Sequence, residues 1–430
     1  MIKPDKELKR TIGLFGLSSN IINVIIGSGI FVLPAIVAVG MGASGVLAYL
    51  FCGILIALIM LCFAEVGSKI TSSGGLYTYI ETAFGDYAGF LSGNLYLATV
   101  LSADAAVSNA LVNILAATFP ALESQMVRVL FLFIVFFGLA FINILGVKQG
   151  VGLIKFLVIA KILPLLLLIV LGLPKISMVH ISIEVLPSFE QLGATSLILF
   201  FAFIGGETGL NVSGEVKNPN KNIPKSIFLG IISVLIIYIL IQLVAQGVLG
   251  DALADQKAPL AETARDVFGN TGFMILTAGA GVSMFGYMSG SILNMPRVLY
   301  ALSRDRVIPV KAFGYVHSKF KTPHLAILTY AGAGFMIAAL GSFETLAVIA
   351  TGGMLLQYLG VVLAVIKLRY TQKTQPGEFK IPGGLTVPLL SLGTIVYFLS
   401  NLSKKELLVT ALSIVALSFI YWFFIRKLKK

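Results

Sequence analysis

A chain of 430 residues that is 57% hydrophobic, 12% charged and of mean hydropathy +0.97 is not a soluble globular domain. Its apolar runs repeat from end to end, so it reads as one all-α integral membrane domain over 1–430 and not as a soluble domain with an anchor. The net charge of +12 is then a statement about topology, and nucleic-acid binding is set aside as its explanation.

Met1 to Arg10 is polar and basic, but the apolar run behind it is too long, and has too many successors, for a cleaved signal peptide. No Asp, Glu, Lys or Arg occurs between Arg10 and Glu65, which is room for two crossings of about 20 residues each. The first is interrupted by Ile26-Gly27-Ser28-Gly29-Ile30-Phe31. Two glycines around a serine weaken a helix and bare its amides, and bare backbone at membrane depth survives only in a protein-lined place. Glycine also serves helix packing in membranes, so one such break is a weak signal. A second, Phe203-Ile204-Gly205-Gly206-Glu207, lies in the sixth apolar segment. A matched pair of broken segments points to a transporter's binding site.

Twelve crossings are expected, at about 12–39 (broken), 43–66, 86–116, 126–145, 150–172, 191–215 (broken), 225–249, 271–301, 323–341, 343–368, 386–402 and 406–425. The two breaks divide the chain into blocks of five crossings, 11–173 and 190–368. An odd number per block makes the second the inverse of the first, with the helices of 386–425 outside the repeat as scaffold or homodimer contact. Of the 31 Lys and Arg, all except Arg128, Lys161, Lys175, Lys257, Arg265, Lys404 and Lys405 fall on the side of the termini. The positive-inside rule places both termini in the cytoplasm and the chain in the cytoplasmic membrane. The acidic loop Asp251 to Asp266 on the other face has the composition of short surface helices.

Three ionisable residues lie deep in predicted spans. Lys161, in the fifth, is either a tie to helix-end carbonyls or a desolvated amine that carries a proton or replaces a bound cation. Glu207 follows the second break, where it either caps a restarted half-helix or takes up and releases a proton. Asp104, in the third span, either gives the cavity a negative charge or is held by Lys161 or a hydroxyl. Glu65 and Lys69, at a span end, read as interfacial charge. No catalytic or metal cluster is expected: His180, His317 and His324 are scattered, and Cys52 and Cys62 lie roughly 15 Å apart on one helix. No cofactor is called for.

Half-helix N-termini offer amides to a carboxylate, and half-helix C-termini offer carbonyls to an ammonium. Two breaks side by side therefore suit a zwitterion, an α-amino acid.

The residues resemble the amino acid–polyamine–organocation superfamily of secondary transporters over nearly the whole chain. The resemblance rests on Gly27-Ser28-Gly29-Ile30-Phe31, on Phe201-Ala202-Phe203-Ile204-Gly205-Gly206-Glu207 with Glu215-Val216-Lys217-Asn218-Pro219, on Pro296-Arg297-Val298-Leu299-Tyr300 and on Phe379-Lys380-Ile381-Pro382-Gly383. It implies the leucine-transporter fold. It also implies that the Gly27-Ser28-Gly29 segment binds the substrate carboxylate and that the backbone at Ile25, Phe201 and Ile204 meets the amine. Phe201 would be an aromatic gate, Glu207 a pH-dependent gating group, and Lys161 the replacement for a sodium ion. Asp104 falls where arginine/agmatine antiporters carry an asparagine, and Phe201 where they carry a tryptophan. Substrate specificity therefore does not carry over, although Asp104 would suit a cationic side chain.

The expectation is thus a sodium-independent amino-acid transporter, not an enzyme, working by alternating access as a proton symporter or an exchanger. The first, second, sixth and seventh spans would rock against the rest. A nutrient sensor or a channel-like protein that binds amino acids without coupled transport is the alternative.

Overall fold

The computed structural model describes residues 12–70, 75–145, 151–207, 216–304, 310–320, 322–372 and 375–426. Fourteen α-helices are seen among them. The first apolar segment is α1 (Leu14–Ile25) and α2 (Gly29–Met41), parted at the Gly27-Ser28 step as its glycines predict. The next are α3 (Gly45–Lys69), α4 (Gly75–Phe84), α5 (Asp86–Ala116), α6 (Gln125–Ile144) and α7 (Val151–Gly172). In the second broken segment α8 (Phe189–Leu199) tightens into a 3-10 turn, Phe200–Phe203, and opens at Ile204. The remainder of the predicted 191–215 span, from 208 on, lies outside the described residues.

There follow α9 (Pro219–Leu249), α10 (Pro259–Arg304), α11 (His324–Leu340), α12 (Phe343–Thr371), α13 (Thr386–Ser400) and α14 (Lys404–Ile420). Local chemistry sets several ends. Capping boxes start α8 (Ser188 with Gln191) and α14 (Ser403 with Glu406), and Pro219 starts α9 after Asn218 in the left-handed conformation. The acidic loop holds a 3-10 turn, Gly250–Asp255, and the first part of α10, which bends at Phe268 and Gly269. Helix α4, which is too short to cross a bilayer, was not expected from the sequence.

Seven described helical stretches are long and apolar enough to cross a membrane, and α1, α8 with its 3-10 turn, α11 and α13 are shorter apolar helices. The chain is thus a multi-pass membrane protein. Two sets of helix contacts are joined through α10, which also packs on α2 and α9, and α12, which also packs on α3 and α8. Helices α1 and α3 pack on α9, and α2 and α3 on α8; α5 packs against α10, α11 and α12, and α6 against α11. Helix α14 buries none of its residues fully; Leu417 and Ile420 pack toward Phe90 and Leu302, and most of its other apolar residues face outward.

Candidate functional site

The two breaks touch each other. A Cβ built on Gly29 would fall 2.7 Å from the Cβ and 2.8 Å from the Cα of Ala202, so only hydrogen fits between these backbones. Gly205 has φ +117° and faces Val24, whose carbonyl oxygen would lie 3.3 Å from an added Cβ. Both features demand glycine. Gly27 differs, because its nearest neighbour would be the Ile25 carbonyl oxygen at 3.9 Å. It has open space.

The last turn of α1 leaves carbonyls that its own helix does not pair. The structure shows what meets them. Lys161, on α7 and 7% exposed, donates from Nζ to the carbonyl oxygens of Asn23 (2.8 Å) and Ile26 (3.1 Å), placing its positive charge at the negative end of the helix. The Ile25 oxygen accepts from the Gly27 amide at 2.8 Å and from the Tyr238 hydroxyl at 3.1 Å. That same hydroxyl lies 3.0 Å from the Ala202 oxygen on the other break. Across the gap, Ser28 precedes the first turn of α2, where helix geometry leaves amides free. Its Oγ is buried and has no partner among the described residues.

Glu207 is 2% exposed. Its Oε2 accepts from the Gly205 amide (3.0 Å) and the Tyr358 hydroxyl (2.7 Å), while Oε1 is buried with no partner among the described residues. Phe201 and Phe343 meet edge to face with centroids 5.8 Å apart. Phe343 also lines a cavity of about 300 Å³ with Val32, Ile36, Asn113, Lys257 and Glu344, so the ring pair connects that cavity to the second break. Ile204 is partly buried at the break itself.

Asp104 is wholly buried. Its Oδ2 accepts from Ser291 (2.6 Å) and Tyr330 (2.7 Å), tying α5 to α10 and α11. Of the placements read from the sequence, this is the one held by hydroxyls. The interfacial reading of Glu65 needs correction. Glu65 is 1% exposed, takes the Arg369 guanidinium on both carboxylate oxygens and accepts the Ile381 amide at 2.9 Å. Ser68 meanwhile bonds both backbone polar groups of Phe379. The 375–384 loop is thereby fastened over the end of α3. Sequence reasoning also missed Tyr238 and Tyr358, since a tyrosine in an apolar helix announces no partner. Cys52 and Cys62 are buried and free.

The structure therefore joins Ile25, Gly27, Ser28, Gly29, Phe201, Ile204, Gly205, Glu207 and Lys161 around two abutting helix breaks and sets Asp104 in the α5–α10–α11 contact.

A family model described as amino acid permease matches residues 12–425. The serine/threonine exchanger SteT of Bacillus subtilis (strain 168) is 30% identical over 420 residues, 95% of each chain. The methylthioribose transporter of the same organism is 28% identical over 98% of this chain and 95% of its own. The b(0,+)-type amino acid transporter 1 of Mus musculus is 26% identical over 89% of this chain and 80% of its own. These relatives are transporters, not enzymes. With the match running from residue 12 to residue 425, the chain belongs to the amino acid permease family.

Proposed function

We propose that the chain carries α-amino acids across the cytoplasmic membrane by alternating access, with the zwitterion held between the two breaks. The observation that carries this is the contact of Gly29 with Ala202 and of Gly205 with Val24. It sets the carbonyl end of one half-helix and the amide end of another around a single point. The Ser28 and Gly29 amides and the Ser28 hydroxyl take the carboxylate beside Gly27, and the carbonyls of Ile25, Phe201 and Ile204 take the ammonium. Phe201, with Phe343, closes the way to the outer cavity. Asp104 stands in the wall behind the ligand.

Twelve crossings in a five-plus-five inverted repeat are the arrangement in which such a site works. The grouping of α1, α2, α3, α8 and α9 apart from the α5 contacts supports a moving bundle against a scaffold. Transport is sodium-independent in this reading, because the Lys161 ammonium already occupies helix-end carbonyls that suit a cation. Glu207 is the group we assign to proton binding, since an ionised carboxylate there leaves one buried oxygen without a donor. Reconstituted protein is expected to take up labelled amino acids in sodium-free buffer, faster with an inward proton gradient or with amino acid inside. Glu207→Gln is expected to remove the response to the gradient. A gradient response kept in that variant contradicts the assignment of Glu207, and uptake that requires sodium contradicts that of Lys161.

A further inference from the structure

Tyr238 has no part in the reading above, yet its side chain hydrogen-bonds both breaks. It stands on α9, is wholly buried, and packs edge-on against Phe203 (5.3 Å) and Tyr49 (6.3 Å). Its hydroxyl lies 3.1 Å from the Ile25 oxygen and 3.0 Å from the Ala202 oxygen. Each oxygen lies in the last turn of a helical segment, where intrahelical donors run out.

A phenol has one proton, so it serves these two acceptors only by sharing it. The Ile25 oxygen also accepts the Gly27 amide, and both its lone pairs are therefore in use. An ammonium reaching that oxygen has to displace the hydroxyl. It brings three donors where the phenol brings one.

We propose that the Tyr238 hydroxyl is a stand-in for the substrate's ammonium: it satisfies the carbonyls of both breaks when the site is empty and yields them when an amine binds. The inference rests on the reading that an amine is recognised at these carbonyls. It makes Tyr238 a positioning residue that sets the affinity for amines by competing with them. Without it, the Ala202 oxygen of the empty carrier would lose its hydroxyl donor and the Ile25 oxygen would keep only the Gly27 amide, and an arriving amine would meet no competitor.

The test is binding of the standard L-amino acids to the purified full chain in nanodiscs. The best of them is then compared with the amine-free acid bearing the same side chain. Tyr238→Phe keeps the ring and its packing and removes only the donor. It is expected to bind the amino acid about tenfold more tightly than wild type, the scale of one buried polar group left unmet in the empty state, with no gain for the amine-free acid. Replacing the same residue, Tyr238→3-fluorotyrosine, strengthens the donor and is expected to weaken amino-acid binding, a second reading should the Phe variant fold poorly. Equal or weaker binding by Tyr238→Phe, or an equal gain for both ligands, overturns the proposal. A wild type that binds no amino acid, or does not prefer it to the amine-free acid, overturns instead the amine site on which the proposal rests.

Discussion

Gly27 and Gly205 stand on the two breaks and have opposite reasons for being glycine. Gly205 is held at φ +117° against Val24, so Gly205→Ala forces a left-handed alanine into a close contact. We expect it to destabilise the protein by about 1–3 kcal/mol, read as a lower melting temperature. Gly27 has room beside it, so Gly27→Leu should insert and melt like wild type while losing amino-acid binding. A variant that binds normally would place the ligand elsewhere. Lys161 is a third case: its ammonium is the donor for the Asn23 and Ile26 oxygens. Lys161→Ala is expected to lower uptake at least about tenfold through those unpaired carbonyls, with a monodisperse, inserted protein. Uptake at the wild-type rate would show that the amine is dispensable.

Among the elements, the broken helices were legible because their signal is local: Gly27-Ser28-Gly29 lies in a charge-free stretch, and Lys161 and Glu207 stand out in apolar surroundings. What escaped the sequence is long-range. Tyr238 reaches back to Ile25, Tyr358 to Glu207, and Arg369 to Glu65, and no spacing rule links such positions. Glu65 and Arg369 were visible only as charges at span ends, where snorkelling into the interface is the ordinary outcome. The loop carrying Phe379 and Ile381 covers them instead. This fastening belongs to the element scale and has its own test. Glu65→Gln leaves a largely buried guanidinium without its charge partner and should lower stability by about 3 kcal/mol. Glu123→Gln breaks an ion pair with Lys257 that is 65% and 56% exposed, and should leave the melting temperature unchanged. Equal effects would mean that the Glu65 site is as well solvated as the surface one.

For the whole molecule, side chains from three helices converge on the two breaks. Carbonyls of α1 and of the 3-10 turn after α8 are held by Lys161 from α7 and Tyr238 from α9, and Glu207 by Tyr358 from α12. In the function proposed above, a ligand between the breaks contacts the elements that would move relative to the scaffold, which is how binding energy would bias an alternating-access equilibrium. Family membership makes the chain an amino acid permease; that its two abutting breaks hold the α-amino acid is the part we propose. The most direct test is sodium-free uptake of labelled L-amino acids into proteoliposomes that hold equal amounts of wild type or Gly27→Leu. Saturable uptake by wild type that the variant lacks is the predicted result. Uptake of no amino acid by the wild type, or equal uptake by both proteins, would contradict the account.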